Sequence, residues 1–108
     1  MAKFLVLYRA PVSALEQMAS VTPEQAQAGM ELWEAWAGRA GDAIVDLGAP
    51  LGDAAIVGKG DAYSDLAGYS ILEAASRDAV MAILEDHPHF HTPGGQVEMH
   101  ETLPVPGT

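Results

Sequence analysis

The residues of this chain best suited to chemistry stand together in Asp86-His87-Pro88-His89-Phe90-His91, which holds three of its four histidines at spacings of two. Imidazole is the side chain whose unperturbed pKa, about 6.5, suits proton transfer near neutral pH. His87 and His89 are therefore the candidate bases, and Asp86 stands where it could orient a neighbouring ring and stabilise its imidazolium. In an extended segment His87, His89 and His91 would point to one side, where imidazoles could also hold zinc or another transition metal. The plainer alternative is a helix exit, with His87 favouring the negative end of the preceding helix and the rest a solvated loop. At such an exit the helix dipole and Asp86 both raise the His87 pKa, whereas burial would lower it.

Other candidates lie on predicted strands. Tyr8 and Arg9 end the first strand and could offer a donor and a cation to a small acid; Arg9 could equally sit in a surface salt bridge. Glu98 and His100, two apart on one face of the last strand, form a second acid–base pair if that face lines a cavity, and are solvated if it is a rim. Asp46, between Val45 and Leu47, is either a buried carboxylate or a solvent-facing residue of an alternating strand. Ser64 and Ser70 lack a G-x-S-x-G nucleophile motif, and Gly58-Lys59-Gly60 is not followed by the pattern of a phosphate-binding loop. Trp33 and Trp36 read as core and interface, with Trp33 in the core stripe of its helix and Trp36 on the flank.

The elements that must position these groups follow from periodicity and punctuation. Residues 2–9 form a strand with an uninterrupted apolar stretch from Phe4 to Tyr8, so both its faces are covered. The segment 11–21 is a short helix or a structured loop. Thr22-Pro23-Glu24-Gln25 opens a helix with a capping box and proline at its first position, running to about Ala40 and stopping at Gly41. A second strand covers 43–47, Gly48-Ala49-Pro50-Leu51-Gly52-Asp53 is a turn-rich break, 54–57 is a short apolar piece that reads as a short strand, and a further strand covers 67–74. Ser76 caps a second helix that Pro88 ends; Thr92-Pro93-Gly94-Gly95 turns the chain into a last strand over 96–103. This order is the α+β, ferredoxin-like βαββαβ pattern. Two helices on one side leave the other face of the sheet bare, which a second copy would cover; the expected assembly is a homodimer, a dimeric α+β barrel.

Composition bounds the function. The 108 residues make one domain, 1–108, and 49% hydrophobic residues suffice for a core. Lys+Arg is 5 against Asp+Glu 15, a net charge of −10. That disfavours nucleic acid and anionic membrane surfaces as partners, since both need clustered cations. There is no cysteine, so no disulfide scaffold, thiolate metal site or cysteine nucleophile. The N-terminal apolar stretch is too short for a signal peptide, no run spans a membrane, and the expected location is cytoplasmic. No cofactor is called for.

Leu66-Ala67-Gly68-Tyr69-Ser70-Ile71-Leu72-Glu73-Ala74, Ser76-x-Asp78-Ala79, Asp86-His87-Pro88-His89, Pro93-Gly94-Gly95-x-Val97-Glu98 and Pro104-Val105-Pro106-Gly107 together resemble the YCII-related (DGPF-like) family. The aliphatic first strand ending in Tyr8 fits it too. The resemblance covers residues 66–107 by motif and 1–60 by pattern. It implies a dimeric α+β barrel and small-molecule chemistry resting on a His and an Asp, for which Asp86-His87 and His89 are the matching positions. The chain departs from the family where the DGPF motif would stand, reading Gly60-Asp61-Ala62-Tyr63 without the Pro or the Phe. The expectation is a small-molecule ligand with His87 or His89 as base, Asp86 as its partner, and Tyr8, Arg9, Glu98 and His100 as binding groups. The competing expectations are a non-catalytic binding module and a histidine-bound metal.

Overall fold

The structure is a computed structural model describing residues 1–61 and 65–106. Ala62, Tyr63 and Ser64 lie outside the described residues, as does Gly107, so the comparison with the DGPF position and the reading of Ser64 stop there. Among the described residues no helix is long and apolar enough to cross a membrane.

The elements run β1 (Ala2–Arg9), α1 (Ala14–Ser20), α2 (Pro23–Ala40), β2 (Ile44–Pro50), β3 (Leu66–Ala74), α3 (Arg77–Leu84) and β4 (Gln96–Glu101), with single 3-10 turns at Gly41–Ala43 and Pro88–His91. The four strands form one antiparallel sheet in the order β2-β3-β1-β4, which is the ferredoxin-like arrangement. The capping box at the start of α2 forms as expected: Thr22 Oγ1 accepts from the Gln25 N–H, and Gln25 Oε1 accepts from the Thr22 N–H. Ser13 and Ser76 cap α1 and α3 in the same way.

Alternation along the central strands divides the sheet. Phe4, Val6 and Tyr8 of β1 and Leu72 and Ala74 of β3 are buried under the helices, where they meet Trp36 of α2 and Val80 and Leu84 of α3. Leu5 and Leu7 of β1 and Ile71 of β3 take the other face and are half-buried.

Four expectations change. Trp36, not Trp33, is the core tryptophan; its indole N–H donates to the Ile83 carbonyl at 2.9 Å, while Trp33 is half-buried. The first half of the expected break, Gly48-Ala49-Pro50, lies inside β2, as a bulge whose pairing with β3 slips between Asp46 and Ala49. Gly48 has φ +85°, and a Cβ there would sit 1.7 Å from the Tyr69 carbonyl oxygen, so the close approach of β2 to β3 requires glycine. The apolar piece 54–57 forms no strand. Finally, α3 ends at Leu84, so Asp86 and His87 follow the helix rather than complete its last turn. The histidine segment then turns into a 3-10 helix, which buries His87 and His89 against Tyr8 and leaves His91 exposed, so the three do not share the face that an extended segment would give them.

Candidate functional site

An open cleft of about 320 Å³ lies between the β2–β3 end of the sheet and the helices. Its floor is the bulged backbone of β2 at Leu47 to Pro50 with Ala67 to Tyr69 of β3; α1 and α2 supply walls at Met18, Met30 and Trp33; the turn after α3 closes it with Pro88 and His89. Among the described residues no Asp, Glu, Lys or Arg side chain lines it. It is an apolar, aromatic cleft with a few polar groups: Tyr8, Gln17, Tyr69, His89 and Thr92.

The 3-10 turn Pro88–His91 sets His89. The ring is buried, and its Nε2 lies 2.7 Å from the Arg9 carbonyl oxygen. A carbonyl only accepts, so this nitrogen carries the hydrogen and Nδ1 of the neutral ring keeps its lone pair. Nδ1 makes no hydrogen bond among the described residues and is not among their buried unpaired atoms. Gly95 makes room for this arrangement: a Cβ there would lie 2.5 Å from the His89 carbonyl oxygen and 3.3 Å from the ring's Cδ2. The Thr92-Pro93-Gly94-Gly95 turn therefore packs directly on the histidine it follows.

His87 is buried deeper and lies outside the cleft lining. It stacks on Tyr8 at 4.6 Å between ring centroids and meets Trp33 and Trp36 edge-on at 4.5 and 4.3 Å. Its Nδ1 accepts the His89 backbone N–H at 2.9 Å, and its Nε2 is buried without a partner. Burial, reinforced by His89, pushes its pKa down from 6.5 to about 3, against a smaller opposing effect of Asp86. The expected rise is thus reversed: the aromatic cage around the ring outweighs the carboxylate. Asp86 itself is exposed and pairs with Arg39 of α2 at 3.1 Å, so it does not hydrogen-bond the His87 ring.

Tyr8 stands at the base of the cleft, its hydroxyl donating to Ser70 Oγ at 2.7 Å. Ser70, fully buried, donates in turn to the Leu47 carbonyl at 2.5 Å. Burial raises the Tyr8 pKa to about 12, opposed in part by the Ser70 hydrogen bond, so the phenol stays neutral.

The remaining expected site residues lie on the other face of the sheet. Arg9 follows Tyr8 in β1 and so points away from the cleft; its guanidinium pairs with Asp65 at 2.5 Å and with Glu98 at 3.0 Å. Glu98 also meets His100 Nε2 at 2.6 Å. The hydrogen bonds from His100 and then Arg9 hold the Glu98 carboxyl below its ordinary pKa. Arg9 and Glu98 border a shallow groove with Phe90 and Gln96, separate from the cleft. Asp46 is exposed, accepting from the Gly48 N–H and the Tyr69 hydroxyl.

The structure thus brings Tyr8, His87 and His89 together, leaves Asp86 on the surface, and gathers Arg9, Glu98 and His100 into a separate hydrogen-bonded chain. Among the described residues no three His, Cys, Asp or Glu side chains are grouped to hold a metal ion. Sequence reasoning missed Trp33 and the β2 bulge as parts of the cleft and Ser70 as the buried hydroxyl that holds Tyr8; Gly48 is the available signal for the bulge.

The fold is similar to a solved structure, the 5-chloro-2-hydroxyhydroquinone dehydrochlorinase of Burkholderia phenoliruptrix AC1100 in complex with 2,5-dihydroxybenzoquinone. The TM-score is 0.53 at 19% sequence identity, over 94% of this chain and 93% of that one. No family model matches the chain, and no curated protein matches it.

Proposed function

We propose that this chain is a YCII-related protein that binds a small organic molecule in the apolar cleft and moves a proton on it with His89. One observation carries the reading. His89 lines the cleft with Nε2–H tied to the Arg9 carbonyl and Nδ1 left without a partner, the arrangement of an imidazole held in one tautomer for use as a base. His87, caged and neutral, is the weaker candidate for that role. Nδ1 would take a proton from a C–H or O–H of the ligand and return it elsewhere, giving isomerisation; with a leaving group on the neighbouring carbon the freed electron pair would form a double bond as the group departs with its own pair, giving elimination. The apolar lining with few polar groups is typical of small-ligand sites.

The lining, which among the described residues holds no Asp, Glu, Lys or Arg side chain, supports a second reading, a binding module without catalysis. The first experiment separates ligand binding from its absence. Thermal unfolding is followed with a panel of small phenols, acids and quinones that includes 2,5-dihydroxybenzoquinone, the molecule bound by the structural neighbour. A ligand that binds the folded chain raises Tm. With a bound compound in hand, His89→Gln should abolish turnover while leaving binding within a few-fold if His89 is the base. Binding without turnover in the parent protein supports the module. No Tm shift with any compound, together with unchanged His89 and Trp33 NMR signals, overturns the cleft as a ligand site.

A further inference from the structure

The hydrogen-bond directions at the base of the cleft are fixed by two backbone carbonyls, and they point the same way. The Leu47 carbonyl can only accept, so the single Ser70 hydrogen goes to it. Ser70 Oγ must then be the acceptor for Tyr8, and the Tyr8 hydroxyl hydrogen is committed away from any ligand. What the hydroxyl has left is lone-pair capacity. The Arg9 carbonyl likewise sets the tautomer of the uncharged His89 ring, with the hydrogen on Nε2 and the lone pair on Nδ1. Neither group can rotate its hydrogen toward a ligand without breaking a buried bond. Tyr69, also in the lining, gives its hydroxyl hydrogen to Asp46 and so keeps only lone pairs, while Gln17 and Thr92 can each donate or accept and impose no direction.

Resting on the cleft as the ligand site, we infer that it selects molecules presenting hydrogen-bond donors, neutral di- or polyhydroxylated aromatic rings in particular, against their ether or acceptor-only counterparts. The aromatic part of the class follows from the walls. Trp33 and Tyr8 meet edge-to-face at 5.2 Å, giving a planar ring both a face and an edge to contact. Neutrality follows from the lining: among the described residues an anionic ligand would find no Lys or Arg side chain there, and an acceptor facing the fixed lone pairs of Tyr8 and His89 would leave all of them unpaired. A donor on the ligand satisfies those lone pairs, and the donor facing His89 Nδ1 is also the proton that this base could remove.

The test compares catechol, resorcinol and hydroquinone, each with its monomethyl and dimethyl ether, by NMR titration of the full chain. Methylation keeps the ring and deletes one donor at a time. At least one diol should bind, its monomethyl ether about tenfold more weakly and its dimethyl ether about tenfold more weakly again, as expected for each hydrogen bond lost at a buried polar group. Ser70→Ala frees the Tyr8 hydroxyl hydrogen and should narrow the gap between diol and dimethyl ether. Tyr8→Phe, checked for fold by circular dichroism, should weaken the diol about tenfold and leave the dimethyl ether unchanged. Ethers that bind as tightly as their diols overturn the donor selection and leave the cleft standing as the site. If neither diols nor ethers perturb the cleft residues, the donor selection and the site fail together.

Discussion

The backbone N–H of His89 donates to Nδ1 of His87 at 2.9 Å. A ring nitrogen that accepts cannot carry a hydrogen, so the neutral His87 ring holds its hydrogen on Nε2. That hydrogen lies in a cage of Tyr8, Trp33 and Trp36, buried and without a partner. A second proton on Nδ1 would break the bond to His89 and bury a charge among aromatic rings. His87 thus holds the turn that delivers His89 to the cleft, and holds it only while neutral.

This makes folding stability depend on acid. The folded pKa of about 3 lies below the ordinary 6.5, so between these values the unfolded chain binds more protons at this site. Stability falls as pH drops through that window, by up to about 1.4 kcal/mol per pH unit from His87 alone, and His87 adds no slope above it. His87→Gln keeps an acceptor for the His89 N–H and removes the titration. Urea unfolding at pH 7.0, 5.5 and 4.5, values chosen roughly to span the window, should show the parent losing stability toward acid faster than the variant. Parallel losses would mean that the folded chain protonates His87 at its ordinary pKa.

The two tryptophans of α2 should separate by stability. Trp36 is 1% exposed and hydrogen-bonded to Ile83, so Trp36→Ala should cost about 3–5 kcal/mol, the range for large aromatic truncations in cores. Trp33 is half-buried on the cleft wall, and Trp33→Ala should cost clearly less while weakening any cleft ligand. Equal losses in urea unfolding would make Trp33 part of the core.

Local signals were legible in the sequence and tertiary ones were not. Thr22, Pro23 and Gln25 announce the start of α2 because a capping box is complete within four residues. The βαββαβ order follows from strand and helix periods alone. His87 was misread because its surroundings come from β1 and α2, far away in sequence; next to Asp86 and Pro88 it looks like a solvated helix exit. Trp33 and Trp36 were assigned to the right helix and to the wrong depths, since a shift of one helical turn's flank decides which ring faces the sheet. The split of Tyr8 from Arg9 was implicit in strand alternation: adjacent residues of β1 cannot both reach one cleft.

Gly48 offers a test of the bulge that shapes the cleft floor. Its positive φ and the 1.7 Å approach of any Cβ to the Tyr69 carbonyl leave alanine no place without parting β2 from β3. The same bulge presents the Leu47 carbonyl to Ser70. Gly48→Ala should destabilise the chain by more than about 1 kcal/mol, the scale of a single strained backbone position. It should also shift the NMR signals of Ser70 and Tyr8. Gly52→Ala, where nothing lies within 4 Å, is the control and should change neither. A Gly48→Ala chain as stable as the parent would show that β2 can repair itself around a side chain.

The face of the sheet turned away from the helices predicts the assembly. Leu5 and Leu7 of β1 and Ile71 of β3 stand there on the two central strands, half-buried by their neighbours and outside the helix-side core. Beside them runs a hydrogen-bonded chain in which Arg9 pairs with both Asp65 and Glu98, and Glu98 meets His100. A sheet face with an apolar centre and paired charges at its margin suits an isologous contact, in which one patch meets its own copy about a two-fold axis. Light scattering at micromolar concentration should therefore give twice the 11.3 kDa of the chain. Leu7→Glu places a carboxylate at the centre of that face, where the two-fold axis brings like charges together, and should yield a folded monomer of unchanged circular dichroism. A parent protein that scatters as a monomer overturns the dimer, and a dimer that survives Leu7→Glu moves the contact to another surface.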